Sequence, residues 1–421
     1  MKRFFAIVGV VLFLIIALFF SMPMGHKSFD ELYTGEEKFK LELEKFRTYP
    51  TKSITINELE WNYLDIGNGK ETLLMLHGMG GAYDIWFQQV QALKSDFRII
   101  SVTYPAAKSL EELAAGVIQI LDVEEIDKTH IIGSSLGGYL TQFLLKNNAE
   151  RLNKVIIGNT FPPNTQLLAK NGKLAKALPY VPEWLLMKTF RGNIKKVVVP
   201  AANNNPLVEA YLLEQDYGLM SKAQFIGRLN CVLQYFEPAN SDSITNKMLI
   251  IDADNDPLIP TDLRDSVKLI YPKAEVHTFN NTGHFTYLNQ PEAYTKVLRD
   301  FLLGSENEEI EEINALINAN YFKGRKEGNI ELLATAFDEN ASLITVVDNN
   351  EITATLQDYL KMVTEKGSVT CNTEILMVDV QGNIAIAKTK FDYGSVAYID
   401  FLSLEKRNGK WKIISKLYTK E

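Results

Sequence analysis

The sequence predicts an α/β protein: a doubly wound, mostly parallel sheet interrupted by a helical cap, followed by a separate α+β domain. Three observations carry that expectation. From about Ser53 to residue 303, short β-rich apolar runs alternate with longer helical stretches. Several of those runs, such as Met248–Ile251, are apolar at successive positions, as strands buried on both faces must be. After residue 306 the order changes to helices first and strands after, the signature of an α+β module. Length and composition agree, since 421 residues suit two or three domains and 46% hydrophobic against 23% charged is the balance of a folded chain. A formal charge of -8 leaves no basic face, so nucleic acid is not expected as a partner. The two cysteines, Cys231 and Cys371, are too few and too far apart for a disulfide framework or a zinc site.

In chain order, Met1-Lys2-Arg3 precedes an apolar run from Phe4 to Phe20, with Met22-Pro23-Met24 extending it. Such a run predicts a membrane-spanning N-terminal helix within residues 1–25, at the lower limit for ~30 Å of hydrocarbon. The exit Ser21-Met22-Pro23-Met24-Gly25 makes a poor cleavage site, so an uncleaved single-pass anchor is expected ahead of a cleaved signal and a secreted product. Lys2 and Arg3 then place the body on the extracytoplasmic side.

Ser53–Asn57 and Trp61–Ile66 read as a strand pair, closed by the turn residues Gly67-Asn68-Gly69. Strands are expected at Thr72–Leu76, Arg98–Val102, Thr129–Ile132, Lys154–Ile157, Met248–Ile251 and Glu275–Phe279. Helices fall between them at Trp86–Leu93, Leu110–Leu121, Leu136–Lys146 and Thr261–Leu269. Residues 161–238 break the rhythm with a helical pattern punctuated by Pro162, Pro163, Pro179, Pro182 and Pro206, which predicts an inserted cap. The main domain thus spans 50–303. The run Gly304-Ser305-Glu306-Asn307 opens a second domain, 306–421, with a helix at Ile310–Phe322, another around Leu332 and Leu333, and strands from Ser342 to Tyr418.

Gly133-Ser134-Ser135-Leu136-Gly137, set between an apolar strand and a helix, has the form of a nucleophile elbow. The glycines fit Ser135 as the nucleophile, since Ser134 has Ile132 two residues before it where the pattern needs glycine. A serine needs a base, and the chain has five histidines. His26 lies at the exit of the apolar run, and His130 and His277 lie in strands, where His277 is expected to be packed as a structural group. His284, in Thr282-Gly283-His284-Phe285 just past the last strand of the sheet, is the catalytic candidate. The orienting acid comes from Asp252-Ala253-Asp254-Asn255-Asp256-Pro257. Asp256 is the choice and Asp254 the fallback, and Pro257 where a calcium loop needs glycine removes the metal reading. The loop His77-Gly78-Met79-Gly80-Gly81 after its own strand suits an oxyanion hole, with the Met79 and Leu136 amides as donors and His77 as a brace. The order Ser135, Asp256, His284 needs no metal or cofactor.

On these motifs residues 50–303 resemble the α/β-hydrolases. They are similar in particular to the maspardin-like branch, through Val102-Thr103-Tyr104-Pro105, Ile157-Gly158-Asn159-Thr160-Phe161 and Arg228-Leu229-Asn230-Cys231. Tyr104-Pro105-Ala106-Ala107 stands where many hydrolases carry Arg-Gly-x-Gly. The triad motifs and the resemblance imply a serine hydrolase acting on an ester, thioester or related acyl bond, which the N-terminal run would anchor to the membrane; the apolar cluster Trp184–Met187 with Phe190 points to a small acyl substrate that is lipophilic. The maspardin-like alternative is a non-catalytic binding or adaptor protein. Residues 306–421 resemble the SnoaL-like, nuclear-transport-factor-like cone fold in its lumazine-binding-like branch, on Glu331–Phe337 and Gly409–Ile414. That implies a packing or ligand-binding module and a homodimer through it, with Asp392, Asp400 and Tyr393 as its only acid–base groups of note.

Overall fold

A computed structural model describes residues 2–347 and 350–421. The chain divides into two compact units, Met1–Leu298 and Arg299–Glu421.

The first unit is built on eight strands: β1 (Thr51–Ile56), β2 (Leu59–Ile66), β3 (Glu71–Leu76), β4 (Phe97–Thr103), β5 (Thr129–Ser134), β6 (Leu152–Gly158), β7 (Met248–Ala253) and β8 (Glu275–Phe279). They lie in the order β1-β2-β4-β3-β5-β6-β7-β8. The β1–β2 and β2–β4 pairs are antiparallel and the others parallel. Leu73–Leu76, the whole of β5 and the whole of β7 are buried, which is why those runs lack alternation. Register then fixes the site. Gly133 pairs with Leu76 on one side and Ile157 on the other, and Gly158 pairs with Ile251. The segments that follow β3, β5, β6 and β7 therefore leave the sheet along one rim.

Helices Leu110–Val123 and Leu136–Asn147 cover the sheet, the first capped by the Ser109 hydroxyl on the Glu112 amide. Between β6 and β7 the chain is helical at Gln166–Ala177, Glu183–Asn193, Pro206–Glu214 and Lys222–Leu233, with no strand among the described residues. This cap has its own apolar cluster of Leu178, Leu186, Met187, Met220 and Phe225, and Met79 packs against it.

The membrane-spanning helix is overturned. Lys2–Phe20 is helical, yet no helix among the described residues is long and apolar enough to cross a membrane. Length is the shortfall: the helix stops at Phe20, Met22-Pro23-Met24 adds nothing to it, and Phe4–Phe20 rises only about 26 Å against ~30 Å of hydrocarbon. The single-pass placement with an extracytoplasmic body falls with it. The end of the helix instead meets the cap, where Trp184 Nε1 donates to the Phe19 carbonyl at 2.7 Å and the two rings lie edge to face. Two helices that the sequence pattern did not announce follow, Phe29–Leu32 and Glu37–Arg47, with Tyr33, Leu43 and Phe46 fully buried. Arg47 donates to Asp84 at 2.7 Å and to both Glu214 oxygens at 2.7 and 2.9 Å, which ties this segment and the cap to the body.

In the second unit, β9 (Phe337–Val347), β10 (Asn350–Thr355), β11 (Asn372–Gln381), β12 (Ile384–Asp392), β13 (Ala397–Arg407) and β14 (Lys410–Lys420) form a sheet in the order β10-β9-β14-β13-β12-β11. Only the β9–β14 pair is parallel. Helices Ser305–Leu316, Ile330–Ala336 and Leu356–Lys366 belong to this unit, whose core includes Ile313, Leu333, Val363, Ala387 and Ile413. Strand β10 and helix Leu356–Lys366 are additions to the expected elements.

Candidate active site

Ser135 follows β5 and caps helix Leu136–Asn147 at φ 55°, ψ -117°, a left-handed conformation that costs a non-glycine residue on the order of 1–3 kcal/mol. Its neighbours hold it there. A Cβ on Gly133 would lie 2.1 Å from the Gly137 carbonyl oxygen, and one on Gly137 2.1 Å from that of Leu76, so neither position accepts a side chain. The Ser135 amide donates to the Gly158 carbonyl at 2.9 Å, and Thr160 Oγ1 donates to the Ser135 carbonyl at 2.7 Å. Ser134 is a buried strand residue below the turn.

Asp256 and His284 are brought together from the loops after β7 and β8. Asp256 Oδ2 lies 2.8 Å from His284 Nδ1, and both side chains are buried. The other oxygen, Oδ1, accepts the Leu258 and Ile259 amides at 2.9 and 3.2 Å. Burial would push this carboxyl up, but the His284 imidazole, the Asn159 amide and the Ile259 N–H outweigh it and hold it below the ordinary carboxylate range. Asp254 is exposed and accepts the Asn281 amide at 2.8 Å instead. The His284 amide donates to the Ala201 carbonyl at 2.8 Å, so the cap touches this loop directly. No hydrogen bond joins Ser135 Oγ to the imidazole among the described residues, a contact that commonly tightens only with substrate present.

Sequence reasoning missed Asn159. At φ 41° beyond β6, its Nδ2 donates to Asp256 Oδ2 at 3.1 Å and to the Gly283 carbonyl at 3.3 Å, while its Oδ1 accepts from Thr286 Oγ1 at 3.1 Å. One side chain thus positions both loops. The available signal was an asparagine directly after Gly158 at a strand end, where asparagine accepts positive φ more readily than most residues.

The loop after β3 faces Ser135: a Cβ on Gly78 would sit 3.3 Å from Ser135 Cβ. Its carbonyl accepts the Gly81 amide at 3.1 Å and lies 2.6 Å from His77 Nδ1. His77 Nε2 accepts the Tyr104 amide at 3.2 Å, so the proton sits on Nδ1 and the ring is neutral. Burial and the nearby Arg228 charge keep it so, well below the usual imidazole range. With the Gly78 carbonyl held, the trans peptide turns the Met79 N–H the opposite way. Neither the Met79 nor the Leu136 amide has a hydrogen-bond partner among the described residues. The arrangement offers an exposed-edge hydroxyl, a base braced by a carboxylate, and two free donors.

The remaining histidines take other places. His130 is buried, with its Nδ1 accepting the Lys154 amide. His277 corrects the expectation of a packed group: it is exposed, because β8 is an edge strand.

The alpha/beta hydrolase family model matches residues 73–297, and a putative lumazine-binding family model matches residues 308–419. Mouse maspardin is 26% identical over 265 residues, which cover 60% of this chain and 84% of that protein. The 2-hydroxy-6-oxononadienedioate/2-hydroxy-6-oxononatrienedioate hydrolase 1 of Dechloromonas aromatica strain RCB is 27% identical over 270 residues, covering 58% and 91%. Among solved structures, the enol-lactonase from Burkholderia xenovorans LB400 shares the fold at a TM-score of 0.52 and 17% identity, over 60% of this chain and 100% of its own.

Proposed function

The chain belongs to the alpha/beta hydrolase family, and from that premise we propose that it is a serine hydrolase cleaving an ester, thioester or related acyl bond. Ser135 Oγ attacks the acyl carbon while His284 Nε2 takes its proton. The Met79 and Leu136 amides stabilise the oxyanion, and His284 returns the proton to the leaving alcohol or thiol. Water then repeats the sequence on the acyl-enzyme. Asp256 stays ionised throughout, holding the proton on Nδ1 and stabilising the imidazolium. The observation that carries this reading is the Asp256–His284 pair at 2.8 Å on the same rim as the strained Ser135 and two unpartnered amides.

The acyl group is expected to meet the cap. Met79, which offers its amide to the oxyanion, packs its side chain with Leu186, Met187 and Phe225 of the cap's apolar cluster. An apolar chain running from the reacting carbon past Met79 would enter that cluster.

One observation favours a second reading, binding without turnover as in a maspardin-like adaptor: among the described residues, Ser135 Oγ and His284 share no hydrogen bond. A fluorophosphonate probe separates the two. Labelling of the wild type but not of Ser135→Ala supports the hydrolase. Absence of labelling in folded wild-type protein would overturn it.

A further inference from the structure

The second unit holds a cavity of about 540 Å³, within the range that receives small molecules. Its lining combines three features that an inert core would not keep together. The first is Arg325, only 5% exposed, with no carboxylate within ion-pair distance among the described residues; its one side-chain hydrogen bond reaches the Gly367 carbonyl at a long 3.3 Å. A guanidinium buried without an anion is unfavourable unless something supplies the counter-charge.

The second feature is a self-contained polar group that cannot supply it. Lys416 Nζ lies 3.1 Å from Asp400 Oδ2 and donates to Tyr321 Oη at 2.8 Å, and Tyr321 donates to the same Asp400 oxygen at 2.6 Å. Burial would pull the ammonium down, but Asp400 outweighs it and keeps Lys416 above its ordinary value, so this cation is already matched by its own carboxylate partner. Asp400 Oδ1 is left buried with no partner among the described residues, an acceptor awaiting a donor. The third is the wall. Tyr359, Phe391, Tyr393, Tyr398 and Tyr418 all face the cavity, offering flat apolar surface with few polar demands. The rim residues Asp358 and Lys366 carry one charge of each sign and leave the excess positive charge at Arg325 uncancelled.

We propose that this cavity is a second binding site, for a small organic carboxylate with a flat conjugated ring and a hydrogen-bond donor such as a hydroxyl. The carboxylate meets Arg325, the ring lies between the aromatic side chains, and the donor addresses Asp400 Oδ1. The inference rests on the second unit alone and stands or falls separately from the hydrolase reading.

The test is calorimetric titration of the full chain with 6-hydroxy-2-naphthoate, its neutral amide 6-hydroxy-2-naphthamide, and the uncarboxylated bicycle lumazine. The naphthoate should bind at least about tenfold more tightly than either other probe, the value of one charge-assisted contact. Arg325→Gln should remove that advantage, lowering naphthoate affinity about tenfold or more while leaving the amide unchanged. Met362→Trp, which fills the cavity from its lining, should abolish binding of the naphthoate. No naphthoate binding by folded wild type, equal binding of acid and amide, or binding that persists in both variants would each overturn the proposal.

Discussion

Replacing Asp256 by asparagine should cost the enzyme nearly all its turnover, and the hydrogen bonds around this carboxylate say why. Oδ1 accepts two backbone amides, from Leu258 and Ile259, so an asparagine must put its oxygen there. Its NH2 group then occupies the Oδ2 position, 2.8 Å from His284 Nδ1 and 3.1 Å from Asn159 Nδ2. Facing a donor, Nδ1 must become the acceptor and the imidazole proton moves to Nε2. A base protonated on the side of Ser135 cannot take the serine proton. Loss of the correct tautomer is worth roughly 10⁴ in kcat, or about 5 kcal/mol in the barrier. Asp254, whose exposed carboxylate accepts the Asn281 amide rather than facing His284, makes the natural control, and Asp254→Asn should stay within roughly threefold of wild type. The assay is kcat/KM on p-nitrophenyl butyrate, with circular dichroism and urea melts to show that both variants fold. A folded Asp256→Asn within tenfold of wild type, or an equal loss in Asp254→Asn, would refute the assignment.

Three further outcomes are expected. Arg47→Met leaves Asp84 and Glu214 without their shared cation; discounting for the partial exposure of Arg47, about 2–3 kcal/mol should be lost, seen as a Tm lower by roughly 5–10 °C, and an unchanged Tm would show that the bridge ties nothing down. Because the folded-state pKa of Asp256 lies below its unfolded value of about 3.9, the stability it contributes is complete above that pH and disappears as pH falls through the folded value, so Asp256→Asn should lose less urea midpoint than wild type between pH 5 and pH 3, and identical slopes would contradict this. If two or three methylenes of the acyl chain are buried in the cap cluster beside Met79, kcat/KM should rise about one to two decades between acetyl and octanoyl esters at ~0.8 kcal/mol per buried methylene, and a flat dependence would point to a small or polar substrate.

Much of the fold was legible because the sheet demands it. Strands buried on both faces have no choice but to be apolar throughout, and Met248–Ile251 announces itself. What escaped was structure with no such demand. Strand β10 is an exposed edge, and Asn350–Thr355 shows almost no buried side chain to pattern. The helix after it did carry a signal, since Thr355 and Asp358 form a reciprocal cap. The apolar run at the amino end misled in the other direction. Composition registers how apolar a segment is, but only the helix limits show how much of it rises along one axis, and Phe20 is where that rise ends. In the site, the elbow was readable because backbone contact at Gly133 and Gly137 excludes every other residue. Asn159 was not, because its partners Asp256 and Gly283 lie in loops about a hundred residues away in sequence.

The same distance hid the support of the oxyanion loop. Arg228 is buried and, among the described residues, bonded to no carboxylate; its Nη1 donates to the Met79 and Gly81 carbonyls at 2.8 and 3.0 Å, and its Nη2 to the Tyr104 carbonyl at 3.3 Å. Burial lowers its pKa to about 10, which still leaves it charged at neutral pH. Two of its three carbonyl partners belong to the loop proposed to hold the oxyanion, so the guanidinium ties that loop down with a positive charge. The third belongs to Tyr104, whose ring lies 3.9 Å from His77, the other brace of the loop. Tyr104-Pro105, the departure from the common hydrolase pattern, is therefore part of the support of the proposed site. Tyr104 joins His77 and Arg228 in one assembly that holds the Gly78 and Met79 carbonyls. On the proposed mechanism this loop faces a developing alkoxide, and a buried cation behind it would favour that negative charge.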